Sequence, residues 1–274
     1  MTVLITGATS GIGLACAKLF AKNKYNIVIT GRRIERLNSI KNQLEKEFGV
    51  VVTSLNFDIQ NQVEVKNAIN NLKNNNINVD VLINNAGFAI APAGAEESSM
   101  QQAQAIFDTN FFGAVRMTRA VLPAMRQQAS GLILNISSIL GLLPTPFGAL
   151  YSASKHALEG YSESLDHELR SQGIRVSLIE PAYTKTSLGI NLLEADAKVT
   201  VYDHIREKLH QQMIKSIQQS DEPRVVANTI LTVIHSRNIL PRYTAGKIAK
   251  HLKNLRKFAP VKIFDKLIQR SLKI

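Results

Sequence analysis

Thr2-Val-Leu-Ile-Thr6-Gly7-Ala-Thr-Ser-Gly11-Ile-Gly13 is the stretch on which the fold turns. Its first five residues are apolar or β-branched and suit a short buried strand. Three glycines at G-x-x-x-G-x-G spacing follow, and an amphipathic run from Leu14 to Lys22 comes next. Strand, glycine turn and helix start together make a cradle for a pyrophosphate. Glycine lets the backbone approach closely, while unpaired N–H groups and the helix dipole favour the anion. The spacing differs from the commoner G-x-G-x-x-G dinucleotide fingerprint.

Outward from this turn, apolar runs alternate with amphipathic ones. The pattern predicts strands at 2–6, 25–30, 50–56, 80–84, 131–137 and 174–180, with a short seventh near Arg242-Tyr-Thr244. Helices are predicted near 12–23, 33–48, 60–75, 100–128, 150–172 and 224–237. Alternation of this kind implies an α/β fold, a doubly wound parallel sheet with helices on both faces. Val81-Leu-Ile83 has the unbroken apolar character of a strand covered on both sides.

With 274 residues and 45% apolar content, the chain can bury one large core. No linker divides it. Residues 1–245 are expected to form one domain, with an insertion at about 187–222, and 246–274 a basic amphipathic helical extension. Cys16 is the single cysteine, which rules out a disulfide within the chain and suits a reducing compartment. The first strand begins at residue 2 and no apolar run reaches membrane-spanning length, so a cytoplasmic protein is expected. The six histidines lack ligand-like spacing, and no metal is expected.

Tyr151 and Lys155 stand four apart in Tyr151-Ser-Ala-Ser-Lys155, on one face of a predicted helix. A phenol ordinarily ionises near pH 10; a neighbouring cation favours the phenolate and lowers that value. The pair suits proton exchange with a carbonyl or alcohol. Ser138 lies thirteen residues upstream, at the end of an apolar run. Ser137 competes for its place, but strand alternation turns Ser137 the other way.

Thr6-Gly-x-x-x-Gly11-Ile-Gly13, Asn84-Asn-Ala-Gly87, Asn110, Ser138 and Tyr151-x-x-x-Lys155 occur in an order that resembles the short-chain dehydrogenase/reductases. The resemblance runs from about Thr2 to about Thr186 and is loose beyond. It implies a Rossmann-type sheet, a nicotinamide dinucleotide and reversible hydride transfer to a carbonyl carbon. It assigns Tyr151 as general acid or base, and Lys155 as the cation that lowers the phenol's pKa and binds the nicotinamide ribose. Ser138 would hold the substrate oxygen. Asn110 would interrupt a helix and hold a water beside the lysine. Gly7, Ser10, Gly11, Ile12 and Gly13 are expected at the phosphates. Asn85, Ala86 and Gly87 are expected at the adenosine ribose and the nicotinamide side, with Asn84 tying strands together. Asp58 has two readings, an adenine contact or an N-cap of the next helix.

The second predicted strand ends in Gly31-Arg32-Arg33, where NAD-selective relatives carry an aspartate at the position of Arg32. A guanidinium there grips the 2′-phosphate of NADP with two parallel hydrogen bonds. NADP(H) is therefore expected over NAD(H), with Arg32 as the chief contact and Arg33 as the one of the pair that could sit in solvent. After the sixth strand the family commonly has Pro-Gly-x-x-x-Thr; here it is Pro181-Ala-Tyr-Thr-Lys-Thr186. Pro181 and Thr186 are retained as cofactor contacts, and Ala182 would be strained if the glycine's place needs a positive φ.

Phe88, Ile90, Leu142, Leu143 and Phe147 are candidate substrate walls. The insertion adds Leu188, Ile190, Leu192, Leu193 and Tyr202. Such walls suit a small lipophilic carbonyl or alcohol: a long-chain aldehyde, a retinoid or a steroid-like molecule. The overall pattern is most similar to retinol and hydroxysteroid dehydrogenases. Alternatives are an NAD-linked hydroxysteroid-type dehydrogenase and a non-catalytic nucleotide-sensing protein on the same fold. By the resemblance, a homo-oligomer (dimer or tetramer) is expected through the helices at 100–128 and 150–172.

From Gly246 to Ile274 there are nine Lys/Arg against one acid, Asp265, a net +8 of the chain's +12. Ile248, Leu252, Leu255, then Ile263, Phe264, Leu267 and Ile268 recur at near-helical spacing, with Pro260 separating two helices. Three roles stay open for this pair: peripheral contact with an anionic membrane, a lid over the pocket, or a cover on a partner subunit. Nucleic acid is not an expected partner, because no aromatic platform or binding motif accompanies the charge.

Overall fold

A computed structural model describes residues 1–186 and 192–272. Seven parallel strands form one sheet: β1 (Thr2–Ile5), β2 (Asn26–Gly31), β3 (Val52–Asn56), β4 (Val81–Asn84), β5 (Gly131–Ile136), β6 (Ile174–Pro181) and β7 (Arg242–Ala245). Their order is β3-β2-β1-β4-β5-β6-β7. Strand order reverses between β1 and β4, and a crevice opens there at the carboxyl ends of the strands. The doubly wound parallel sheet expected from the sequence is present, including its seventh strand.

Strand alternation sorts the core into two layers. Val3 and Ile5 point to one face, where Phe20, Leu37 and Ile230 meet them. Leu4 points to the other, among Met117, Val121 and Leu165. The helices on the first face are α1 (Gly11–Lys22), α2 (Ile34–Phe48) and α8 (Pro223–Ile234). On the second lie α3 (Gln62–Asn74), α5 (Gly113–Gln127) and α6 (Ala149–Leu169). Phe20 is wholly buried. Its truncation to alanine would cost about 3–5 kcal/mol.

The helix expected across 100–128 is divided. α4 (Met100–Phe107) runs into a five-residue π-helical turn, Asp108–Phe112, before α5 begins. Gly113 lets the chain pass the third strand's loop, since a Cβ there would lie 2.5 Å from Ile59 Cδ1. The turn carries Asn110 into the interior, where it is 2% exposed.

The insertion contains a helix the sequence reading did not place, α7 (Asp203–Gln218). Buried Glu97 pins this segment. Its carboxylate accepts from Gly94 N at 2.7 Å and Val199 N at 2.9 Å, and pairs with Arg206 of α7. At the C-terminus, α9 (Lys247–Phe258) and α10 (Val261–Leu272) flank Pro260, as the sequence pattern predicts. They pack on the domain: Phe264 is buried against Ile139 and Leu143, with Leu252, Leu255 and Ile268 around it. Among the described residues no helix is long and apolar enough to cross a membrane.

Candidate active site

The glycine turn after β1 is built for backbone alone. Gly7 has φ +64, and a Cβ on it would fall 2.9 Å from Ala86 Cα. A Cβ on Gly13 would lie 2.6 Å from both Gly7 O and Asn85 Nδ2. The Asn85 amide supports the turn, donating to Thr6 O at 2.9 Å and Gly7 O at 3.2 Å. Thr6 Oγ1 accepts from Asn85 N and Ala86 N. Asn85 thus lines the cleft with its amide nitrogen already engaged, as a brace for the turn. Ser10 occupies the N-cap of α1 without a side-chain capping bond, and Ile12 and Gly87 face the cleft. Thr186 packs beside Gly11 at the same mouth: a Cβ on that glycine would be 3.1 Å from Thr186 Cβ. This cradle, at the N-terminus of a twelve-residue helix, fits a dinucleotide pyrophosphate.

At the end of β2 both arginines are exposed. Arg33 donates from Nη2 to Thr9 Oγ1 at 2.8 Å and is thereby tied to the glycine turn. Arg32 is the more outward, 75% exposed and 3.5 Å from Asp58 Oδ2. Asp58 is not the N-cap of α3. Asn61 takes that place, accepting from Val63 N and Glu64 N, while Asp58 Oδ1 accepts from Gln60 N at 3.0 Å.

The chemical end lies where β5 meets α6. Ser138, Tyr151 and Lys155 line one cleft. Ser138 follows β5, and its Oγ accepts from Leu140 N at 3.1 Å. Ser137 turns toward Glu159, leaving Ser138 as the serine beside the phenol. Burial pushes the Tyr151 phenol up to about 12; the Ser138 side chain opposes the rise and the neighbouring Tyr183 adds to it. Burial draws Lys155 down to about 8, with Glu159 pulling the other way. Burial is the largest influence on both groups. Both groups are desolvated, and the ammonium donates to Ile136 O at 2.9 Å, 5.7 Å from the centre of the Tyr151 ring.

Asn110 clamps the loop after β4. Its Oδ1 accepts from Phe88 N and its Nδ2 donates to Phe88 O, each at 3.0 Å, with a further bond to Ser154 Oγ at 3.2 Å. The residue thus joins that loop to α6 one position before Lys155. Asn84 bonds across to Asn135 Oδ1 of β5 at 2.8 Å, the strand-tying part expected of it. Pro181 ends β6 and faces the cleft. Ala182 is not among the residues with positive φ, so alanine carries no left-handed strain there.

A buried charge cluster behind Lys155 escaped the sequence reading. Glu159, one helical turn on, is raised by burial to about 7. Arg242 of β7 lies 3.2 Å from both Glu159 Oε2 and Glu180 Oε1 and also pairs with Glu163. Lys253 of α9 stands 4.0 Å from Glu180. The four-residue step from Lys155 to Glu159 was visible in the sequence; the convergence of β6, β7 and α9 upon it was not. Among the described residues no three His, Cys, Asp or Glu side chains gather as a metal site.

The cleft encloses about 470 Å³. Phe88, Ile90, Leu143, Phe147 and Leu192 line it as expected. Leu142 packs instead beneath α10, Leu193 bridges to Ile90, and Tyr202 lies edge-on behind Phe147. Leu188 and Ile190 fall outside the described residues. Walls the sequence reading missed come from Tyr183, from Leu209 and Met213 of α7, and from Ile248, Leu252 and Ile268 of α9 and α10.

This combination defines a nucleotide-dependent oxidoreductase, and comparison gives the family. The family model for short chain dehydrogenases matches residues 1–197. An uncharacterised oxidoreductase of Schizosaccharomyces pombe is 34% identical over 197 residues, covering 72% of this chain and 82% of that protein. Bovine retinol dehydrogenase 8 is 38% identical over 196 residues, 70% of this chain and 62% of its own. An NADP-dependent 3-hydroxy acid dehydrogenase of Salmonella typhi is 37% identical over 181 residues, 66% of this chain and 71% of its own.

Among solved structures, a short-chain dehydrogenase from Streptomyces avermitilis superposes with TM-score 0.81 at 28% identity, covering 97% and 96% of the two chains. A serine dehydrogenase complexed with NADP+ gives 0.77 at 28% identity, over 90% of this chain and 95% of its own. A Burkholderia phymatum relative in complex with NAD gives 0.78 at 26% identity, over 88% of each. The chain belongs to the short-chain dehydrogenase/reductase family, and its cofactor is a nicotinamide dinucleotide.

Proposed function

We propose that this protein is an NADP(H)-dependent carbonyl reductase and alcohol dehydrogenase acting on a lipophilic substrate. The observation that carries the reading is the convergence of Ser138, Tyr151 and Lys155 on a cleft whose other walls are mainly apolar. When bound, the nicotinamide supplies the hydride. The residues of this chain handle the oxygen and its proton. Ser138 donates a hydrogen bond to the carbonyl oxygen and stabilises the charge that develops there. Tyr151, a phenol that is protonated at neutral pH, delivers the proton to that oxygen. Lys155 places a cation beneath the ring, held by the Ile136 carbonyl.

NADP(H) is favoured because two guanidinium groups, Arg32 and Arg33, stand at the end of β2 with no carboxylate at that position. NADP-bound solved relatives support this choice, and the NAD-bound one marks the alternative. A lipophilic substrate is favoured because Leu209, Met213, Leu252 and Ile268 bring three further helices to the cleft wall. Relatives include a retinol dehydrogenase and a 3-hydroxy acid dehydrogenase, so the substrate reading rests on the cleft. An assembly through α5 and α6 is consistent with Phe112, 48% exposed at the end of the π-helical turn that leads into α5.

The test is oxidation of NADPH and NADH against aldehydes and ketones of rising chain length. The proposal expects kcat/KM with NADPH to climb with chain length. A preference for NADH, or for short hydroxy acids over every long-chain compound, would overturn it.

A further inference from the structure

We propose that α9 and α10 form a docking ridge for an anionic membrane surface, set at the mouth of the substrate cleft. The two helices are apolar on more than the face they bury. Phe264 points inward and is 7% exposed. Across the Ala259-Pro260 corner, Phe258 is 72% exposed and Val261 76%, and Ile263 on α10 is 52% exposed. Apolar side chains this open, grouped at one corner, are what an interfacial helix sinks into a headgroup layer.

Charge selects the partner. Lys257, Lys262 and Lys266 stand among these apolar residues, and Asp265 is the single acid from 246 to 274. Basic residues beside an exposed apolar face complement the negative surface potential of a bilayer carrying anionic lipid. The ridge is a fixed part of the domain: Phe264 is seated on Ile139 and Leu143, the Arg256 guanidinium stacks over its ring at 4.9 Å, and Lys253 reaches Glu180 at 4.0 Å.

The same helices connect the ridge to the cleft. Leu252 and Ile268 line it, and Ile248 both lines it and is 52% exposed, which places that side chain at the opening. A lipophilic substrate partitioned into the bilayer would meet the cleft without crossing water. This purpose rests on the lipophilic-substrate reading; the docking itself does not.

The experiment is sedimentation of the full chain with phosphatidylcholine vesicles and with vesicles containing phosphatidylserine, without nucleotide or substrate. Most of the protein should pellet with the anionic vesicles and little with the neutral ones, and high salt should release it. The doubly substituted variant Val261→Glu/Ile263→Glu changes exposed positions only, so its melting temperature should be unchanged. Its partitioning should fall at least about tenfold, roughly as expected for losing buried apolar surface at the interface. Lys257→Gln/Lys262→Gln/Lys266→Gln should abolish the preference for anionic lipid. Equal recovery in the supernatant with every vesicle would overturn the proposal. So would a dimer that Val261→Glu/Ile263→Glu dissociates while vesicles pellet nothing, because the ridge would then be a subunit interface. Because no turnover is read, failure here leaves the reductase assignment to its own assay.

Discussion

Lys155 Nζ stands 5.7 Å from the centre of the Tyr151 ring, on the buried side of α6, and spends one of its protons on the Ile136 carbonyl. Neither group keeps its ordinary affinity for a proton. The phenol is held up and the amine is held down, each chiefly by loss of water. Glu159 is the charge that opposes the amine's shift.

A pH dependence of stability follows. Lys155 falls from 10.5 in the unfolded chain to about 8 in the folded one. Between those values the folded state binds fewer protons, so this group's contribution to stability rises with pH across the window. Its cost is fully present below pH 8 and is of the order of 3 kcal/mol. Glu159, raised from 4.5 to about 7, acts below this window, and Tyr151 acts above pH 10. Urea unfolding of the wild type and of Lys155→Met should therefore show a stability difference that changes between pH 8 and 10. Parallel curves across that interval would show that the lysine keeps its ordinary pKa.

Cofactor choice is tested at the end of β2. Replacing Arg32 with aspartate removes a phosphate partner and adds repulsion beside Asp58. A charge-assisted hydrogen bond contributes about 1.5–3 kcal/mol, so NADPH affinity should fall roughly 10- to 100-fold. NADH affinity should change by no more than a few-fold. Titration of nucleotide fluorescence reads both; an equal loss for the two would refute the assignment.

Gly13→Ala addresses the cradle. The new methyl would sit 2.6 Å from Gly7 O, in the turn itself, and from Asn85 Nδ2, which braces it. The turn must shift, at a stability cost of about 1–3 kcal/mol. Binding of either dinucleotide should be lost in calorimetry while the far-ultraviolet circular dichroism stays that of the wild type. Unimpaired binding would place the pyrophosphate elsewhere.

Much of this was legible in the chain because it rests on local rules. The strand–glycine–helix start, the four-residue step from Tyr151 to Lys155 and the alternation of elements each follow from backbone geometry. Pro260 marks a helix break for the same reason. What stayed hidden depends on tertiary company. The bond from Arg33 to Thr9, 24 residues away, could not be read from local sequence. Helix α7 carries apolar residues at Ile205, Leu209, Met213 and Ile217, but its polar content masked that stripe. The pKa of Tyr151 was read from one neighbouring cation, whereas burial by surrounding elements sets its direction.

The central claim is that Tyr151 transfers the proton, and Tyr151→Phe tests it most directly. Removing one hydroxyl keeps the ring and its packing, so the variant should bind NADPH as the wild type does. Its kcat for reduction of a long-chain aldehyde should drop by about 10²–10⁴, the usual worth of a positioned acid. Turnover within a few-fold of wild type, with nucleotide binding intact, would contradict the account.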